Sequence, residues 1–423
     1  MLEMHEKYGP IVRVSPGELA FCSPAAFKDI YGRRKDGPPE LAKDKKYYSG
    51  MGEPTLLNSD DMAYHSYLRK LLSPSFSDFS LRKQEAVIHD YLKILMRKLE
   101  KHSQDYDDGA DLLQWFNFFV FDVIGYLTYG ETFDCLNSNE LHTWIKLIPP
   151  LGKFYAFYQA VARLPIWLKY PTLVLGMPRG LLSDVKTLGQ ISETKVKQRL
   201  SITAKIPDLM GKLIEEYNVG KMTMNQLKSN ASFLIGAGNC VYYLLMNPHT
   251  LSKLTNEIRG RFSTADEITM VNVNQCKYLQ AVIDETLRIV APSPATHPRY
   301  TPPGGIDIDG IFVPGGMAVG VPILAACRSS LNFHNPTKFA PERWTGEDPL
   351  YVNDARDAAQ VFSYGPRDCL GRNLAYVEMR LVMASLVWHF DLERRFQEDW
   401  VDQKVYMVWV KSPLMVKLKP VRC

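Results

Sequence analysis

The run Phe362-Ser363-Tyr364-Gly365-Pro366-Arg367-Asp368-Cys369-Leu370-Gly371 limits this chain more than any other ten of its residues. A single cysteine has an aromatic seven residues before it, a glycine four before, an arginine two before and a glycine two after. No second cysteine lies close enough in sequence to close a disulfide or a zinc knuckle with it. The residues that follow, 373–390, place Leu374, Val377, Leu381 and Leu386 near helical spacing. The cysteine is therefore expected just ahead of a helix N-terminus, where the dipole and free N–H groups stabilise a negative sulfur. The flanking glycines let backbone N–H groups come close to that sulfur.

A lone thiolate held in this way suits a haem iron, and an arginine beside it suits a haem carboxylate. The pattern F-x-x-G-x-R-x-C-x-G resembles the haem-binding signature of the cytochrome P-450 family. Phe362, Gly365, Arg367, Cys369 and Gly371 all match it. The resemblance implies haem b as cofactor, with Cys369 as the metal ligand and the other four as cofactor-binding residues. The alternative for a single cysteine is a buried structural thiol in a turn.

Length alone allows two or three average domains or one large single-core fold. With 46% hydrophobic and 23% charged residues the chain has the make-up of an ordinary soluble globular body. A net charge of +4 with no long Lys/Arg run gives nucleic-acid binding no support. Seven scattered cysteines with no C-x-x-C pair argue for a reducing compartment and against a disulfide framework. No run of about 18 apolar residues offers a membrane span. Eukaryotic members of the family usually carry an apolar anchor ahead of a segment like Met1-Leu2-Glu3-Met4-His5. Its absence here is expected to reflect a truncated gene prediction or an anchorless form. The resemblance implies the cytoplasmic face of the endoplasmic reticulum for a full-length product, and the cytosol for a chain without the anchor.

Short strands are expected at 11–14 and 19–22, then a mainly helical stretch from 64 to 259 that includes 81–99 and 111–129. Glycines, prolines and the alternation Ile306/Ile308 and Ile311/Val313 read as strands and turns, and residues 340–370 show little periodicity. This order fits a mainly α fold with minor β-sheets. The resemblance, which covers the whole chain, implies the cytochrome P-450 fold as one large domain over 1–423. Residues 149–177 are rich in aromatics, aliphatics and prolines. They either close a core or, as the resemblance implies, form a lid that partly contacts a membrane.

Glu285-Thr286-Leu287-Arg288 puts a carboxylate and a guanidinium three apart on one helical face. Pro341-Glu342-Arg343-Trp344 adds a second arginine downstream. The family has these parts in the same order, so the resemblance makes Glu285, Arg288 and Arg343 its buried charge network. It likewise implies that His65, Arg69 and Arg299 meet the haem carboxylates. His65 and Arg69 are i, i+4 and share a helical face.

The pattern breaks over the distal face of the haem, where the resemblance places a long helix at 225–246. After Ala237-Gly238 the family carries an acid and a threonine that relay protons to iron-bound oxygen. This chain has Asn239-Cys240-Val241 and then Tyr242-Tyr243-Leu244-Leu245. Roughly nine residues of helix, about 13 Å and two and a half turns, are missing against that pattern. The distal helix is expected to be shortened, with everything after it rotated by about half a revolution.

The resemblance as a whole implies a haem-thiolate monooxygenase inserting one atom of O2 into an apolar small molecule, a fungal secondary metabolite. No flavin or nicotinamide motif is present, so electrons are expected from an NADPH-dependent flavoprotein reductase docking near Arg367 and Arg372. The loss around Gly238, Asn239 and Cys240 leaves two alternatives: a haem-thiolate isomerase or dehydratase without O2 activation, or an inactive remnant.

Overall fold

Leu81, Ile88, Leu92, Leu95 and Leu99 recur at helical spacing and form the buried face of the 28-residue helix Asp78–Asp105. Ser77 caps it, its hydroxyl accepting the Ser80 N–H at 3.3 Å. The helix Leu112–Tyr129 starts at Asp111, whose carboxylate accepts the N–H groups of Leu113 and Gln114, and stops at Gly130 with φ 73°. Its Trp115, Phe118, Phe119, Val123, Ile124 and Leu127 are buried, so apolar contact surrounds most of it.

The computed structural model describes residues 1–34, 40–48, 53–202, 208–226, 240–396, 398–406 and 409–421. The chain gathers into two units. The first is Met1–Ser49, Gln280–Cys369 and Met407–Trp409; the second is Gly50–Leu279, Leu370–Tyr406 and Val410–Cys423. The fold is mainly α-helical with small sheets, as the order of elements in the sequence implied.

In the first unit a five-stranded sheet runs in the order Ile11–Ser15, Glu18–Phe21, Ala318–Gly320, Arg299–Tyr300, Ala42–Lys43. Glu18–Phe21 and Ala318–Gly320 are parallel, and the other pairs are antiparallel. The hairpin Ile306–Ile308/Ile311–Val313 buries Ile306, Ile308 and Val313 in one cluster with Phe27 and Ile30 of the helix Pro24–Tyr31. In the second unit the helices Asp78–Asp105, Leu112–Tyr129, Pro248–Arg261 and Arg372–His389 accompany a three-stranded antiparallel sheet. Its strands are Ala110–Asp111, Met415–Pro420 and Phe390–Arg394. Arg259 donates to the carbonyls of Val387 and Phe390, both at 2.9 Å, and ties Pro248–Arg261 to the end of Arg372–His389.

The aromatic-rich stretch forms two helices, Ile148–Val161 and Ile166–Gly176. The second buries none of its residues, and Trp167 and Leu175 stand 72% and 87% exposed. Among the described residues no helix is long and apolar enough to cross a membrane.

Residues 227–239, which include Gly238 and Asn239, lie outside the described residues. The shortening expected of the distal helix, and the half-turn rotation measured from it, fall there too. Val241, Tyr242 and Leu244 of the helix Val241–Met246 are buried. The Tyr242 ring stacks on Trp400 at 5.2 Å and lies 5.2 Å from Phe396. This six-residue helix thus packs on the C-terminal segment.

Asp111 also accepts the Leu414 N–H at 2.9 Å, so one carboxylate starts a helix and pins the entry to a strand. Asp111→Ala is expected to cost about 2–3 kcal/mol. The check is a chemical denaturation curve whose midpoint falls with its slope unchanged.

Candidate active site

The loop around Cys369 is built from backbone contacts. The Cys369 N–H donates to the Phe362 carbonyl at 2.8 Å, and the Asp368 N–H to the Gly365 carbonyl at 3.1 Å. Gly365 adopts φ +77°, and a Cβ there would stand 2.0 Å from the Tyr31 carbonyl oxygen. Only glycine fits so close to another strand of backbone at that φ. Arg367 turns inward: its Nε and Nη2 reach Glu40 Oε1 at 2.9 and 2.7 Å, and its side chain is 6% exposed. This corrects the expectation that Arg367 offers charge to a docking partner, because the guanidinium is spent on a buried ion pair. Arg372, the first residue of the following helix, is half-buried, and Gly371 is its N-cap.

Cys369 is the exposed cysteine among the six described. Burial pushes the thiols of Cys22, Cys135 and Cys276 up to about 11 and that of Cys327 up to about 12, so these stay protonated and inert. Cys240 is buried as well.

Glu285, Arg288 and Arg343 come together with no exposed side-chain surface. Glu285 Oε1 accepts from Arg288 Nη2 at 2.8 Å, Arg343 Nε at 3.1 Å and the Ala340 N–H at 2.9 Å. Its Oε2 accepts from Arg288 Nε at 2.8 Å and Trp344 Nε1 at 2.9 Å. Arg343 also pairs with the buried Asp354, so two guanidiniums meet two carboxylates. The sequence reading missed Asp354 and the role of Trp344. Trp344 stands beside Arg343 in the motif, whereas Asp354 follows in an irregular segment that carries no periodic signal.

Arg299 is buried on the strand Arg299–Tyr300. Its Nη1 donates to Tyr48 Oη at 3.1 Å and to the carbonyls of His297 and Pro298 at 3.2 and 3.1 Å. Among the described residues it forms no ion pair. In the second unit the helix Met62–Leu72, capped by Asp61, carries His65 buried and Arg69 half-buried one turn apart.

The family model for cytochrome P-450 matches residues 1–418. The chain belongs to the cytochrome P-450 family. It is 38% identical to the cytochrome P-450 monooxygenase hepD of Aspergillus oryzae over 431 residues, covering all of this chain and 85% of the relative. It is 40% identical to the monooxygenase cpaH of Aspergillus oryzae, over 99% of this chain and 83% of that one. It is 38% identical to the averantin hydroxylase of Dothistroma septosporum, over 99% and 81%. Cytochrome P-450 membership makes haem b the cofactor and the chain an oxidoreductase of the monooxygenase class. The hepD alignment runs over 431 positions against 423 residues here, so this relative carries at least eight residues that the chain lacks.

Removing Arg343 leaves Asp354 as an uncompensated buried charge and Glu285 short of a donor. Arg343→Ala is expected to cost about 3–5 kcal/mol and to yield protein that loses haem during purification. A stable, haem-loaded Arg343→Ala variant, judged by melting temperature and Soret absorbance, contradicts a structural role for the network.

Proposed function

We propose that this chain is a haem-thiolate monooxygenase that inserts one oxygen atom into an apolar small molecule of fungal secondary metabolism. The observation that carries this reading is Cys369, exposed in its signature loop while the other described cysteines of the chain are buried. The chemistry of the donor set fits a haem: one accessible thiol for the iron, and a buried arginine whose described acceptors are all neutral. Haem b, when bound, supplies the iron centre at which O2 is split, one atom going to substrate and the other to water.

Cys369 would hold the iron as a thiolate, the ligand type that favours oxygen activation at a haem. Phe362, Gly365, Arg367 and Gly371 bed the loop: the Phe362 carbonyl fixes the Cys369 N–H, and Arg367 is anchored by Glu40. His65, Arg69 and Arg299 hold the haem carboxylates. Glu285, Arg288 and Arg343 keep the residues leading to Cys369 in place. An NADPH-dependent flavoprotein reductase supplies electrons, docking near Arg372. The exposed helix Ile166–Gly176 rests on a lipid surface; at 11 residues, about 16 Å, it is too short to span one, and Trp167 suits the interface. The protein would then work at the cytoplasmic face of the endoplasmic reticulum. The hydroxylase among the relatives supports oxygen insertion as the reaction type.

A second reading rests on the sequence at Gly238, Asn239 and Cys240, where the acid and threonine are missing. An amide does not shuttle protons readily and a thiol is a weak donor. That favours rearrangement or dehydration of an oxygenated substrate, or an inactive chain.

The reduced, CO-bound protein is expected to show the red-shifted Soret band of thiolate ligation, and Cys369→His to bind haem without it. An unshifted band in the unaltered chain sinks the thiolate assignment. With NADPH, a reductase and substrate, O2 uptake with oxygenated product is expected; uptake that ends wholly as peroxide marks an inactive chain. Substrate conversion with no O2 uptake would establish the second reading instead.

A further inference from the structure

The helix Arg372–His389 starts at Gly371, two residues after Cys369, and Glu378 is its single acid. Glu378 is only 6% exposed, with Leu374 one turn before it and Leu381 and Val382 one turn after, all buried. Its Oε1 is buried and has no hydrogen-bond partner among the described residues. Other buried carboxylates of the chain are held differently. Glu285 accepts from two guanidiniums, an indole and a backbone N–H. Asp122 accepts the N–H groups of Cys135 and Leu136 at 2.9 and 2.8 Å. Asp208 pairs with Arg199, and Glu40 with Arg367.

The helices Asp78–Asp105, Pro248–Arg261 and Met270–Val273 pack against Arg372–His389. The first brings Glu85, His89, Lys98, Glu100 and His102 half-buried, the second Lys253, Glu257 and Arg259, and the third no titratable group. Several are committed elsewhere: Glu85 accepts the Met270 N–H, Glu257 those of Tyr278 and Leu279, and Arg259 pairs with Asp391. No charge on any of them offsets the environment of Glu378, and burial alone pushes its carboxyl up to about 8. An ionised carboxylate so placed is costly, and a proton removes the cost.

We propose that Glu378 is an internal proton site, neutral at working pH and holding its proton more tightly once the haem iron is reduced. The inference rests on the reading of Cys369 as the iron's ligand. Three residues of loop and six of helix separate the two residues, so chain length alone keeps their Cα atoms within about 20 Å. One-electron reduction adds a negative charge at the iron, and that charge favours the carboxylic acid over the carboxylate. Where the carboxylate is present, the electron supplied by the reductase then arrives with a proton from solvent: iron is reduced, one O–H bond forms on Glu378, and nothing leaves. A unit charge over about 20 Å at an effective dielectric near 20 changes the proton affinity roughly fourfold.

The experiment is a spectroelectrochemical titration of the haem in the holoprotein from about pH 6 to about pH 10, for the unaltered chain and Glu378→Gln. The reduction equilibrium constant of the unaltered chain is expected to fall about fourfold as pH rises through the titration of Glu378, and that of Glu378→Gln to keep its low-pH value. A pH-independent equilibrium in the unaltered chain overturns the inference, as does an identical fall in Glu378→Gln, which would put the proton on another group. The CO-bound spectrum separates the two layers. Without the thiolate band the reading of Cys369 fails and the inference falls with it; with the band but without the fall, only Glu378 is misassigned. A second measurement needs no variant. In the oxidised protein the infrared C=O stretch of a protonated carboxyl is expected to persist above pH 6 and to disappear near pH 8, and its absence above pH 6 overturns the proposal. Melting temperatures give a third check. The unfolded carboxyl ionises near 4.5 while the folded one keeps its proton to about 8, so this group lowers stability progressively as pH rises between those values. Glu378→Gln lacks that loss, and its melting temperature is expected to pull ahead of the unaltered chain across the same window and to hold a constant lead above it. A difference that does not change with pH overturns the inference.

Discussion

Residues 329–369 form no strand and no helix longer than four residues, so their backbone carbonyls cannot be satisfied by a ladder or a long helix. Two buried guanidiniums take over that task. Arg288 donates to the carbonyls of Cys327 and Pro336 at 2.7 Å and of Lys338 at 3.2 Å, and Arg343 to that of Asn335 at 2.9 Å. Neither could be buried alone, since an isolated charge in the interior is far too costly. Glu285 makes it possible by accepting from both, and Asp354 completes the neutralisation. The ion pairs are thus better understood as a scaffold for irregular backbone than as a net source of stability. Cys369 lies at the end of that backbone, so its position inherits whatever precision the four charges provide.

The same unit buries other cations on different terms. The Glu285 cluster balances its charges internally, and Arg367 is matched by Glu40. Arg299 meets only neutral acceptors among the described residues, with another buried cation across the ladder. The first two are matched by carboxylates, whereas Arg299 is held by a phenol and two backbone carbonyls.

Periodicity made the long helices legible. Leu81 to Leu99 and Leu374 to Leu386 repeat at helical spacing, and both segments are helices. The cysteine motif made the family legible, because glycine is required at Gly365 by a backbone contact that any Cβ would break. The partners chosen across long separations were not legible. Nothing near Arg367 in sequence points to Glu40, 327 positions away, which is why it looked like surface charge. Ala42–Lys43 is a two-residue strand inside a polar run, with no alternation to announce it, and its register alone brings Lys43 to Arg299. Local pattern encodes elements; tertiary register encodes which charges meet.

The distal segment shows the same division. Counting residues predicted that a loss of about two and a half turns would rotate the chain beyond it. The residues against which that rotation is measured lie outside the described ones. Val241, Tyr242 and Leu244 are buried, and Trp400 holds Tyr242 by stacking while its indole N–H donates to the carbonyls of Ser412 and Pro413, both at 3.0 Å. A six-residue helix has little stability of its own, so the surface it packs on decides where it lies. Residues beyond the sequence break at Asn239 therefore take their place from contacts with the far end of the chain. The spectrum of the haem and the fate of O2 are then separate questions.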